Sequence, residues 1–133
     1  MKKSIFLIAV LFATQAQAYT STELRSDCQA AGAFYDQEKS TGSPPDLAGA
    51  RCVAYLEGFA GGYTVGDYLA DKVGVKLNAF CPPKGEDLPP RLVRSVLAHL
   101  RLQPLNPRAD TAILVAGALA KSFPCADSLE SRK

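Results

Sequence analysis

His99 is the only histidine of the 133-residue chain, and Ser95 stands one helical turn before it. A serine and a histidine at i and i+4 face one way on a helix, the minimum arrangement for a base-activated hydroxyl. Such a pair performs acyl transfer only with an orienting carboxylate and an oxyanion-binding loop, and the neighbouring sequence offers neither. The acidic residues show no spacing that singles out two of them as an acid/base pair. The run Gly58-Phe59-Ala60-Gly61-Gly62 lacks the G-x-G-x-x-G spacing of a phosphate-cradling loop and has no Lys-Ser/Thr after it. The chemistry left is that of Cys28, Cys52, Cys81 and Cys125, separated by 24, 29 and 44 positions. Zinc sites draw on closely paired Cys or Cys/His spacings, so two disulfides are expected, with no metal, no cofactor and no enzymatic activity.

Disulfides require an oxidising compartment, and the start of the chain directs it to one. Lys2 and Lys3 precede a nine-residue apolar run from Ile5 to Ala13, followed by the small-x-small sequence Ala16-Gln17-Ala18. That is the order of a secretory signal peptide, and cleavage after residue 18 leaves Tyr19 to Lys133 as a single exported domain. Nine apolar residues are too few to span a bilayer, and the later run Thr111 to Ala120 is bounded by Asp110 and Lys121. No membrane association is expected after cleavage. The new first residue, Tyr19, is not the cysteine that a lipoprotein anchor needs. Residues 19–133 carry 13 basic and 13 acidic side chains, so composition gives no argument for attraction to nucleic acid or anionic lipid.

The four cysteines need elements to hold them. In residues 19–133 Ala and Leu number 30 against eight Val and Ile, which favours an all-α fold, a small disulfide-bonded bundle of about four helices. The first spans about Ser21 to Lys39, opened by the capping-box pair Thr20 and Glu23 and stopped by Ser40-Thr41-Gly42-Ser43-Pro44-Pro45. The second runs from near Asp46 toward Ala70, its glycine-rich later half prone to fray. Breakers place residues 71 to 86 in a loop. The third helix starts around Asp87, buries Leu92, Val93, Val96, Leu97 and Leu100, and ends at Gln103-Pro104-Leu105. Asn106-Pro107 reads as the start of the fourth, with Ala109, Ala112, Ile113, Ala116, Leu119 and Ala120 as its buried stripe. The tail from Asp127 to Lys133 is polar enough for disorder.

Four cysteines allow three pairings. Cys28 and Cys52 fall in neighbouring helices joined by a short Pro-containing turn, and Cys81 and Cys125 both fall beside prolines at segment ends. Cys28 with Cys52 and Cys81 with Cys125 is therefore the preferred pairing.

Two patterns point to packing or docking. Ala50, Ala54, Gly58, Gly62, Gly66 and Ala70 recur every four residues on the second helix, beside an aromatic ridge of Tyr55, Phe59 and Tyr63. Close helix packing, inside the monomer or across a homodimer, would offset the roughly 1 kcal/mol that each helical glycine costs. Charge is also divided: residues 19–71 hold three basic and eight acidic side chains, residues 72–133 ten and five. Arg91, Arg94 and Arg101 lie opposite the apolar face of the third helix, a solvated face or a dock for an acidic partner.

Taken in order, Cys28, Cys52-x-x-Tyr55-x-x-Gly58, Phe80-Cys81-Pro82-Pro83, a helix ending at Pro104 and Ala118-Leu119-x-x-x-Phe123-Pro124-Cys125 resemble the Rap/Tai family of periplasmic immunity proteins. The resemblance covers about Cys28 to Cys125. It implies a helical, disulfide-bonded and often dimeric protein that occludes a toxin delivered by type VI secretion, often a peptidoglycan amidase. Under it the contact elements are the loop from Asp71 to Glu86, with Lys72, Lys76 and Lys84, and the third-helix face bearing Arg91, Arg94 and Arg101. Alternatives from other classes are an acid-activated periplasmic chaperone similar to the Hde type, consistent with thirteen carboxylates, and a structural envelope module.

Overall fold

The computed structural model describes residues 18–38, 42–104 and 106–126. The expected signal peptide, except Ala18, and the tail from Asp127 lie outside the described residues. Four helices make up the fold: α1 (Ser21–Glu38), α2 (Leu47–Asp71), α3 (Leu88–Leu102) and α4 (Thr111–Ser122), with no strand among the described residues. Helix α1 touches each of the other three, and α3 bridges α2 and α4. No described helix is long and apolar enough to cross a membrane.

Each start is set by a short side chain that satisfies the free N–H groups of a first turn. At α1 the expected capping box forms: the Thr20 backbone N–H and hydroxyl both donate to Glu23 Oε2 at 2.8 Å, and the Glu23 N–H donates to Thr20 Oγ1 at 3.2 Å. At α2 the Asp46 carboxylate accepts from the Gly49 N–H at 2.7 Å. A Cβ at Gly49 would stand 2.8 Å from Pro44 Cβ, so this cap requires glycine.

Helix α4 departs from the sequence expectation. Asn106-Pro107 does not open it; the Asn106 side chain accepts from the Arg108 N–H and its carbonyl from the Ala109 N–H, closing a separate turn. Asp110 is the cap, accepting from the Ala112 and Ile113 N–H groups at 2.8 and 3.2 Å. The later start rotates the buried stripe to Thr111, Val115, Ala118 and Leu119. Ile113 is 71% exposed and Ala112 also faces water, while Leu119 keeps its expected place.

The core is one cluster: Leu24, Cys28, Ala31 and Tyr35 from α1, Cys52, Val53, Leu56 and Ala60 from α2, Leu92, Val93, Val96 and Leu100 from α3, and Val115, Ala118 and Leu119 from α4, closed by Phe80 and Phe123. Both preferred disulfides are present. Cys28–Cys52 ties α1 to α2, and Cys81–Cys125 ties the segment before α3 to the end of the bundle. A Cys81 N–H to Phe123 carbonyl bond of 2.7 Å reinforces the second clamp. Each bridge stabilises by about 3 kcal/mol through the entropy it removes from the unfolded chain.

The glycine-rich half of α2 is helical to Asp71 instead of fraying. What holds it is the chain folding back along it. Gly74, at φ +78°, and Asn78, at φ +46°, turn residues 72–80 back toward the bundle. The Val75 N–H donates to the Ala70 carbonyl at 2.9 Å, the Leu77 N–H to Asp67 Oδ1 at 3.1 Å and the Ala79 N–H to the Tyr63 hydroxyl at 2.7 Å.

Candidate functional site: an exposed helix tip and its return segment

Helix α2 has 25 residues and α1 has 18. At 1.5 Å per residue, α2 is longer than its neighbour by about 10 Å. The buried positions of α2 are Gly49, Cys52, Val53, Leu56 and Ala60, and none follows Ala60. Beyond Ala60, Tyr63 still packs half-buried against the core, and the turns after it form a tip backed by the return segment. Six large apolar side chains stand exposed there: Val65, Tyr68 and Leu69 on the helix, and Val73, Val75 and Leu77 on the return. Scattered exposed apolar residues are ordinary, whereas six on the end of one helix and its return segment make a candidate interaction surface.

The small-residue ridge joins this tip. It does not pack inside the monomer: Ala54, Gly58 and Gly62 are exposed, and a Cβ added at Gly58, Gly61, Gly62 or Gly66 would meet nothing within 4 Å. The aromatic ridge turns inward instead. Tyr55, Phe59 and Tyr63 are half-buried against the core, and Tyr63 stacks on Phe80 with ring centroids 3.9 Å apart. The outward face of α2 thus presents Ala54, Gly58, Gly62, Val65 and Leu69, an uncharged strip between Arg51 and Lys72 that a second helix could approach closely.

The six basic residues expected to make contacts do not form one patch. Lys72 sits on the tip, its ammonium 4.7 Å from the centre of the Tyr68 ring, and Lys76 is exposed beside it on the return segment. Lys84 lines a groove next to the Cys81 disulfide. Arg91 pairs with Asp87 at 3.8 Å and lies over the Phe123 ring, while Arg94 reaches Asp36 of α1 at 3.8 Å. Arg101 lies beside Arg25 and Gln29, on the last turn of α3. The arginines of α3 are therefore partly engaged by the bundle's own surface, and Lys72 and Lys76 are the two that join the apolar group. The Arg94–Asp36 bridge pairs the basic half of the chain with the acidic half inside the monomer.

The most constrained polar network lies at the other end of α2. Asp27, 3% exposed, accepts from Arg51 Nε and Nη2 at 2.9 and 3.1 Å and from the Tyr19 hydroxyl at 2.8 Å. Burial, then the hydrogen bond to Asp27, raises the Tyr19 phenol well above its ordinary value, and the same carboxylate raises the Arg51 guanidinium. The Tyr19 carbonyl also accepts from Thr111 Oγ1 at 2.6 Å, so this residue fastens α1, α2 and α4 together. This network is structural. No local pattern marks its members, whose signal lies only in three-dimensional proximity.

Nor does the Ser95/His99 pair form a nucleophile and base. Ser95 Oγ donates to the Ala118 carbonyl at 3.2 Å and lies 2.6 Å from Ser122 Oγ, so its hydroxyl is spent joining α3 to α4. His99 Nδ1 is buried without a partner, and the ring lies against Gly117. Among the described residues no group of three or more His, Cys, Asp or Glu could hold a metal ion.

A small helical scaffold clamped by two disulfides, with its chemical groups consumed in packing and an apolar tip left bare, belongs to the class of protein-binding modules. The chain is a member of the Rap1a immunity protein family, whose profile matches residues 20–125. That family comprises inhibitors directed at secreted toxins, so the protein is an inhibitor and not an enzyme. Its members are typically periplasmic. No curated protein and no solved structure matches the chain.

Proposed function

We propose that residues 1–18 are removed as a signal peptide on export and that the remaining domain blocks a type VI secreted toxin in the periplasm, a peptidoglycan amidase being the target class its family resemblance suggests. The observation that carries the mechanism is the bare tip of α2, where Tyr68, Val73, Val75 and Leu77 are exposed beside Lys72 and Lys76. Apolar side chains on a hairpin-like projection, pinned by hydrogen bonds to Tyr63 and Asp67, lose little freedom on entering a cleft. The two lysines fit an acidic rim around that cleft and would steer the encounter. Membership of the family favours this reading over an acid chaperone or an envelope module.

The glycine ridge supports a homodimer in which two α2 helices meet at Ala54, Gly58 and Gly62, leaving Tyr68, Val73, Val75 and Leu77 of both tips free. The test of function is co-expression with the toxin directed to the periplasm. Cells carrying this protein should keep growing while cells without it lyse; equal rates of lysis would exclude protection against that toxin.

A further inference from the structure

A groove of about 530 Å³ runs between α2 and the segment leading into α3. Its apolar lining is Ala60, Tyr63, Phe80, Pro82, Pro83 and Leu88, and Gly61 lies along it with open space where a side chain would begin. The size falls in the range of ordinary ligand sites. The groove is also rigid. Cys81 is bonded to Cys125, the Phe80 ring is stacked on Tyr63, and two consecutive prolines fix the backbone of the far wall.

The charges on its rim select the occupant. Glu57 and Asp67 stand on the α2 wall, Lys84 on the other, with Glu86 and Asp87 following Lys84 in the chain. Asp67 is already engaged by the Leu77 N–H and Asp87 by Arg91, whereas Glu57 is exposed and has no hydrogen bond or ion pair among the described residues. An apolar groove with a free carboxylate on an acidic wall fits a side chain such as Phe or Leu followed by a Lys or Arg. Resting on the toxin-binding reading above, we infer that this groove is a second contact, in which a peptide segment of the toxin bearing an apolar side chain followed by a cationic one is seated beside the cleft-blocking tip. The two contacts are complementary: the tip offers cations to the toxin and the groove accepts one from it.

The probes are capped hexapeptides with a central Phe-Arg, Phe-Glu or Ser-Arg pair, titrated into the ¹⁵N-labelled full-length mature chain and followed by amide shifts. The Phe-Arg peptide should shift Gly61, Thr64 and Lys84, and bind about tenfold more tightly than Phe-Glu at low salt. Glu57→Gln should narrow that difference. Gly61→Leu, which adds bulk to the groove at a position where a Cβ meets nothing within 4 Å, should abolish binding without unfolding the helix. Equal affinity for Phe-Arg and Phe-Glu, unchanged binding by Gly61→Leu, or shifts absent from the groove would overturn the inference. So would a large gain in affinity on deleting residues 127–133, which would make the chain's own tail the occupant. In the co-expression assay, full protection by Gly61→Leu would remove the groove from toxin recognition while leaving immunity intact; failure of the wild-type chain to protect would remove the functional reading itself.

Discussion

Asp27 and Arg51 are unequal partners. The Asp27 side chain is 4% exposed and that of Arg51 51%. An arginine released from the pair returns to water, whereas an aspartate released from it stays buried with one phenol as donor. Arg51→Ala should therefore destabilise the fold by more than Asp27→Ala, measured by urea unfolding. The opposite order would mean that the carboxylate is solvated. The tyrosines give a second prediction at this scale. Tyr19, Tyr35 and Tyr55 all have phenols raised chiefly by burial, with Asp27, Glu57 and Asp110 respectively adding to it. A folded value above the unfolded one means that stability is full below about pH 10 and is lost as pH rises toward the folded values. Unfolding midpoints should fall above pH 10, with a shallower fall in Tyr19→Phe. Residues whose role follows from chain-local rules, such as Thr20, Glu23 and the cysteines, were legible in sequence. Asp27, Arg51 and Tyr19 were not, because their network joins positions 8 and 24 apart through a fold that must exist first.

Helix α4 shows how an element can be recognised and yet misplaced. Asn106-Pro107 and Asp110 are both competent starts, and an asparagine before proline is as good a local signal as an aspartate before threonine. Tertiary bonds decide between them: the Asn106 carbonyl accepts from Ser21 Oγ and Thr111 Oγ1 reaches the Tyr19 carbonyl, which hold the turn apart from the helix. Asp110→Ala should cost about 1 kcal/mol of thermal or chemical stability, with Asn106→Ala costing less. Helix α2 was legible as an element but not in its orientation. Its four-residue spacing gives a ridge whether the ridge faces the core or water, and only the bundle's contacts show that it faces water. The four glycines at 58, 61, 62 and 66 thus weaken the isolated helix with no compensating contact inside the monomer. Gly58→Ala and Gly62→Ala should each stabilise the monomer by about 0.5–1 kcal/mol. Gly62→Leu should leave folding intact and convert a sedimenting dimer to a monomer; an unchanged oligomeric state would move the dimer contact off α2.

At the scale of the whole molecule, the two disulfides divide the work. Cys28–Cys52 staples the helix pair that forms the foundation, and Cys81–Cys125 anchors the return segment on which half of the tip is carried. The all-α class, the helix count and both pairings were readable from composition, punctuation and cysteine context. The tip was not. Finding it required knowing that α2 is longer than α1 and that no residue of α2 beyond Ala60 is fully buried, facts of length and packing that no single motif expresses. The split between acidic and basic halves pointed to the basic residues as a group, and the fold then separates them, leaving Lys72 and Lys76 with the apolar tip and the α3 arginines on the bundle. The proposed blockade of the toxin depends on that tip. Its most direct test is calorimetric affinity for the toxin, comparing the wild-type chain with Val73→Asp/Val75→Asp, two positions 77% and 50% exposed whose substitution spares the core. Placing two charges in a desolvated contact should weaken binding by about a hundredfold or more with an unchanged melting temperature, and wild-type affinity in this variant would take the tip out of toxin binding.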